Sequence, residues 1–134
     1  MPYVDPSEAL DRTAVDLHAL ARELGPGTWR QPLVADRASR WVLLAWEPGM
    51  STVPHRHPGA GEVFVVVEGR LGLRLGDEPE IEAGPGTLLR ARPDAVHALR
   101  VIGGDRLLLI ASVAPNESRP DETIELPETS EPAR

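Results

Sequence analysis

The chain has 134 residues, 41% of them hydrophobic, enough to fill one compact core and too few for two domains of ordinary size. A net charge of −7 argues against nucleic acid or an anionic membrane as a partner, and the absence of cysteine removes disulfides, thiolate ligands and a Cys nucleophile. With no apolar signal core at the N-terminus and no run as long as a membrane span, the composition reads as that of a cytoplasmic protein.

Asp5-Pro6-Ser7-Glu8 has the form of a helix start: Asp as the cap, Pro at the first helical position, Glu placed to reach back. Leu10, Ala14, Leu17, Ala21 and Leu24 follow at helical spacing, and Gly25-Pro26 ends the pattern. Residues 1–27 are therefore assigned an N-terminal helix whose apolar stripe packs on the outside of the main domain or against a second subunit. From Thr28 the pattern is β. Strands are predicted over 29–34 and 40–46 around a turn at 36–39, and then over 62–67, 71–75, 87–91, 96–102 and 106–113. Gly76-Asp77-Glu78-Pro79 and Gly103-Gly104-Asp105 mark turns between them. About eight short strands with regular turns and no internal repeat indicate one all-β jelly roll or barrel over 28–114. The last stretch, 115–134, carries four prolines and six acidic residues against two arginines, which predicts an acidic, partly disordered tail in which Ile124 and Leu126 can dock as an edge strand.

The chemistry-bearing segment is 49–69. His55 and His57 stand two apart, and because alternate residues of a strand share a face, the two imidazoles project together while Arg56 points away. Pro58, Gly59, Ala60 and Gly61 form a tight turn, after which alternation puts Glu62, Phe64 and Val66 on one face. If the histidines look into that face, a carboxylate joins them, and His97 offers a distant third imidazole. Such ligands suit Fe(II), Mn, Ni, Zn or Cu, and four protein donors leave room for water or substrate in an octahedral field. A core histidine with a satisfied hydrogen bond is the plainer explanation of any single His, and His18 is either of that kind or simply exposed; three of the four histidines falling on one pattern fit a metal better.

This segment resembles the first motif of the cupin superfamily: Gly, five residues, His-x-His, four residues, Glu, six residues, Gly. Gly49, His55, His57, Glu62 and Gly69 meet it at every specified position. The second motif, Gly, five residues, Pro-x-Gly, two residues, His, three residues, Asn, is met in part. Gly86 and His97 keep their separation, Pro93 is one place late, Ala95 stands near the expected glycine, and Val101 replaces the asparagine. The resemblance implies a cupin-type double-stranded β-helix, a jelly-roll barrel, with one divalent transition metal per chain held by His55, His57, Glu62 and His97. Similar barrels pair through edge strands, so a homodimer is expected.

Alternation from the ligands suggests Ser51, Val53, Phe64, Val66, Leu99 and Val101 as wall positions, with Trp41, Trp46 and Met50 nearby. The wall is largely apolar, and with no Lys, no Cys and a single Tyr at the terminus, chemistry falls to the metal and to Glu62 as the catalytic carboxylate. Arg90, Arg92 and Arg100 are candidates to anchor a substrate carboxylate, although solvent-facing strand arginines are the commoner case. The leading expectation is Fe(II)-dependent dioxygenation of a small organic substrate. Lewis-acid isomerase, cyclase or lyase chemistry with Zn, Mn or Ni is the alternative, followed by a non-enzymatic metal or ligand sensor.

Overall fold

Strands β1 (Trp29–Ala35) and β2 (Arg40–Trp46) form a hairpin closed by Asp36, whose carboxylate accepts from the amides of Ala38 and Ser39 at 2.8 and 3.0 Å. The structure is a computed structural model that describes residues 3–116 and the backbone of 122–123. Strands β3 (His55–Arg56), β4 (Gly61–Glu68), β5 (Leu71–Leu75), β6 (Ile81–Ala83), β7 (Leu88–Ala91), β8 (His97–Val101), β9 (Leu107–Ala114) and β10 (Glu122–Thr123) follow. They make two five-stranded sheets, ordered β1-β2-β9-β4-β7 and β10-β3-β8-β5-β6, in which every paired neighbour is antiparallel.

The sheets meet through their apolar faces. Val42, Leu44, Phe64, Val66, Leu107 and Leu109 from the first pack in one buried cluster with Leu71, Leu73, Leu99 and Val101 from the second. Along β4 the even positions Glu62, Phe64 and Val66 are buried and their neighbours are not, as the alternation predicts. The architecture is thus the expected all-β jelly roll, although among the described residues no ladder joins the two sheets into a closed barrel. The first sheet is also covered from outside: Leu33, Leu43, Ala45 and Leu108 pack against Leu20 and Ala21 of the helix α1 (Leu17–Leu24). Burial on both faces explains why β2 and β9 are near-continuous apolar runs.

The N-terminal helix is shorter than its sequence pattern predicts. The capping box at Asp5 and Glu8 is real, but it closes only a 3₁₀ turn, Pro6–Glu8. The chain then runs beside β1, with the amides of Leu10 and Asp11 donating to the carbonyls of Pro32 and Leu33 at 3.2 and 2.9 Å. Asp11 has φ +52°, which no helix tolerates. A second cap, Asp16, accepts from the Ala19 amide and starts α1.

At the other end, the described residues include the first two of the stretch assigned to the tail. Asn116 is buried: its side chain donates to the carbonyls of Val4 and Asp36 at 2.9 and 3.0 Å and accepts from the Val4 amide and from Arg40 Nη1. Beyond it, β10 pairs with β3, Thr123 opposite His55. The edge strand expected at Ile124 and Leu126 lies outside the described residues.

Candidate metal centre

Two local devices bring the histidines together. His55 of β3 and His97 of β8 are directly opposed in the antiparallel ladder, which puts their ring centroids 4.4 Å apart. His57 lies two residues on and opens the β3–β4 turn, where the Ala60 amide donates to the His57 carbonyl at 3.0 Å and Gly59 takes φ +74°. That turn is tied to the β7–β8 loop by Asp94, whose carboxylate accepts from the Gly59 amide at 2.8 Å. The turn then delivers Glu62 on the buried face of β4, in register with Ala91 of β7 and Val113 of β9.

The result is a single cluster. One ligand atom from each of His55, His57, Glu62 and His97 lies within 4.8 Å of the others. Glu62 is only 2% exposed, and its Oε1 stands 2.8 Å from His57 Nε2 and 3.0 Å from His97 Nε2. His57 and His97 are buried and His55 is half-buried, on the accessible side of the group.

Backbone carbonyls set the ring orientation. Nδ1 of His55 donates to the carbonyl of Val53 at 2.8 Å, and Nδ1 of His97 donates to that of Ala95 at 2.9 Å, each two residues upstream. A carbonyl can only accept, so in both rings Nδ1 carries a proton and Nε2 is the nitrogen turned to the cluster; in the metal-free protein that of His97 donates to Glu62, and a metal would take the place of that proton. Burial opposes ionisation of Glu62, but the hydrogen bonds from His57 and His97 outweigh it and hold the carboxyl down at about 2. Burial also lowers the His55 pKa, only partly offset by its bond to Val53, which favours the neutral imidazole that a metal requires. Three nitrogen donors and one ionised oxygen, with the His55 and His97 rings held in orientation, fit a divalent transition metal.

The neighbours sort into three groups. Phe64 is fully buried with its ring edge toward His97 at 5.9 Å between centroids, and Val66, Leu99 and Val101 lie in the same buried cluster. Trp46 and Met50 are partly buried against that cluster. Ser51, Val53 and Trp41 are corrected: Ser51 is exposed and bridges to Arg100, Val53 is 62% exposed, and Trp41 is on the outer surface. The phase slips because residues 52–54 are not a strand. The Thr52 amide donates to the Leu99 carbonyl while its hydroxyl accepts from the Leu99 amide, turning Thr52 rather than its neighbours toward β8. Arg100 is committed to Glu80 by a two-pronged contact at 2.6 and 2.7 Å. The positioning contacts from Asp94 and from the Val53 and Ala95 carbonyls are not among the sequence-based expectations. Asp94 follows a proline in a turn, a recognisable Asx position, whereas a carbonyl carries no mark in the sequence.

Comparison with known proteins agrees with this fold. The family model described as Cupin domain matches residues 42–113. A Klebsiella pneumoniae protein with a double-stranded β-helix domain superposes with a TM-score of 0.71 at 19% identity, over 86% of this chain and 99% of that one. The TT1209 protein of Thermus thermophilus gives 0.67 at 29% identity, over 78% and 98%. A cupin-like protein of Thermotoga maritima gives 0.66 at 24% identity, over 72% and 75%. No curated protein sequence matches the chain.

Proposed function

Since the chain belongs to the cupin domain family, we propose that it is a metal-dependent enzyme acting on a small organic molecule, and that its reaction is an Fe(II)-dependent dioxygenation. The observation that carries this reading is the convergence of three imidazoles and one carboxylate within 4.8 Å at the edge of an apolar interior. His55, His57, Glu62 and His97 would hold the metal, and iron bound there would supply activation of O2 toward a small organic substrate.

The remaining work belongs to the chain. Glu62, ionised down to about pH 2, supplies the negative charge that balances a dication. The carbonyls of Val53 and Ala95 keep the His55 and His97 rings from turning. Phe64, Val66 and Leu99 keep water from the inner side, where it competes with substrate and quenches reactive species. Among the described residues no other acid or base is buried with the four ligands: the remaining buried polar residues are Arg40, Ser112 and Asn116.

The test is elemental analysis of protein purified without chelator, then anaerobic reconstitution with Fe(II) and an oxygen-uptake assay over small thiols, diketones and phenolic acids. Stoichiometric iron with substrate-dependent uptake is the expected result. Tightly held zinc, manganese or nickel without uptake would replace it with the second reading, a Lewis-acid isomerase, cyclase or lyase. One observation favours that alternative: a charged groove, described below, supplies the polar groups such chemistry uses.

A further inference from the structure

Between the β5–β6 turn and β7 runs a groove of about 420 Å3 lined by Leu75, Asp77, Glu78, Arg90, Arg92 and Ala95. Its backbone neighbours the metal ligands: Leu75 is in register with His97, and Ala95 accepts the His97 Nδ1 hydrogen bond. Ala91 is buried in register with Glu62, whereas Arg90 and Arg92 on either side of it are exposed, on the opposite face.

Its charges are not paired with one another. Arg70, Arg100 and Arg106 each pair with an acid, at 3.5 Å to Glu82, 2.6 Å to Glu80 and 3.9 Å to Glu68. Arg90 and Arg92 pair with nothing among the described residues, and neither do Asp77 and Glu78 although they line the same groove. Two cations two residues apart line the groove from β7 and the residue after it, and two acids line it from the β5–β6 turn, with no ion pair between them among the described residues. A planar fork recognises carboxylate through paired N–H donors, and an unpaired carboxylate across the groove accepts from hydroxyl or ammonium groups.

We infer that the groove binds the carboxylate end of a small organic acid through Arg90 and Arg92, with a hydroxyl or ammonium group of the same molecule directed to Asp77 and Glu78. As a statement about substrate, this rests on the metal-centre reading above; as a statement about binding, it stands on the groove alone.

The experiment measures calorimetric or NMR-detected binding of succinate, malate and aspartate, with succinamide as the uncharged control, to metal-free and to Zn(II)-loaded protein. Arg90→Gln and Arg92→Gln are measured beside the wild type. Expected are binding of malate and aspartate ahead of succinate, none of succinamide, and a loss of about ten-fold or more in affinity in each variant, with Zn(II) content unchanged. Equal binding of succinamide, unaltered affinity in both variants, or no binding of any of the three acids would overturn the inference while stoichiometric Zn(II) left the metal centre standing. Failure of the wild type to take up Zn(II) would strike the metal centre instead, and the metal-free titrations would still decide whether the groove binds carboxylates.

Discussion

His57→Ala separates the metal centre from the fold that carries it. In the metal-free protein the substitution removes the hydrogen bond from His57 Nε2 to Glu62 Oε1 at 2.8 Å, between two groups that are almost wholly buried. Glu62 is not orphaned, because His97 still reaches it at 3.0 Å. A hydrogen bond to a charged group contributes about 1.5–3 kcal/mol, and the loss is a fraction of the 5–15 kcal/mol typical of a domain. At about 3 °C per kcal/mol for a chain of this length, the metal-free variant melts roughly 5–9 °C below the metal-free wild type and remains folded.

Metal behaves differently. At a free concentration of about 100 times Kd it stabilises the wild type by about 2.7 kcal/mol, a rise in Tm of roughly 8 °C. Removing one of four donors should abolish most of that rise and most of the bound metal. The assay is elemental analysis together with thermal melts in chelator and in excess Zn(II), using the exposed His18→Ala as a control. Wild-type metal content and an undiminished rise in His57→Ala would refute the site. A metal-free variant that fails to fold would refute the claim that the core is independent of the ligands.

The folded-state pKa of Glu62, about 2, lies below its ordinary value of 4.5, so its contribution to stability is fully present above that ordinary value and is lost as pH falls through the folded one. In urea melts of metal-free protein, the gap between wild type and Glu62→Gln should therefore be constant near neutrality and shrink in acid; a gap that widens in acid would contradict the assignment. Asn116→Ala removes four contacts that join Val4, Asp36 and Arg40 and should cost about 2–4 kcal/mol in the same melts, whereas a surface-sized effect below about 0.5 kcal/mol would show that the latch is dispensable. A homodimer is expected from the open edges of β1, β6 and β7, and light scattering at micromolar concentration should give twice the chain mass; the monomer mass would dismiss it.

What the sequence reveals and what it hides divide along physical lines. Strand β2 has the bounds its pattern predicts, and β4 alternates as written, because each feels one strong constraint, the apolar interior between the sheets. The same constraint makes His55, His57 and Glu62 legible: spacing within a strand and across a tight turn is local information. His97 is legible only through its separation from Gly86, since its ladder partner His55 is forty-two residues away along the chain. The helix fails for the opposite reason. Both the cap at Asp5 and the helical spacing from Leu10 are present, yet backbone pairing of Leu10 and Asp11 with β1 overrides them, a competition no local pattern encodes. Strand β6 is missed because three residues, only Ala83 among them buried, offer too short a pattern to register. The deepest gap concerns the Val53 and Ala95 carbonyls, because any residue type supplies one. Their placement depends on a non-strand segment before β3 and a turn before β8, so the feature that orients the ligands is a backbone path, and substitutions there should act through the turns rather than through side-chain identity. A test follows directly: Val53→Ala leaves the carbonyl in place and should leave metal content intact, whereas Asp94→Ala releases the Gly59 amide and should lower metal affinity by loosening the turn that carries His57. Equal effects of the two would mean that orientation is not set by the backbone.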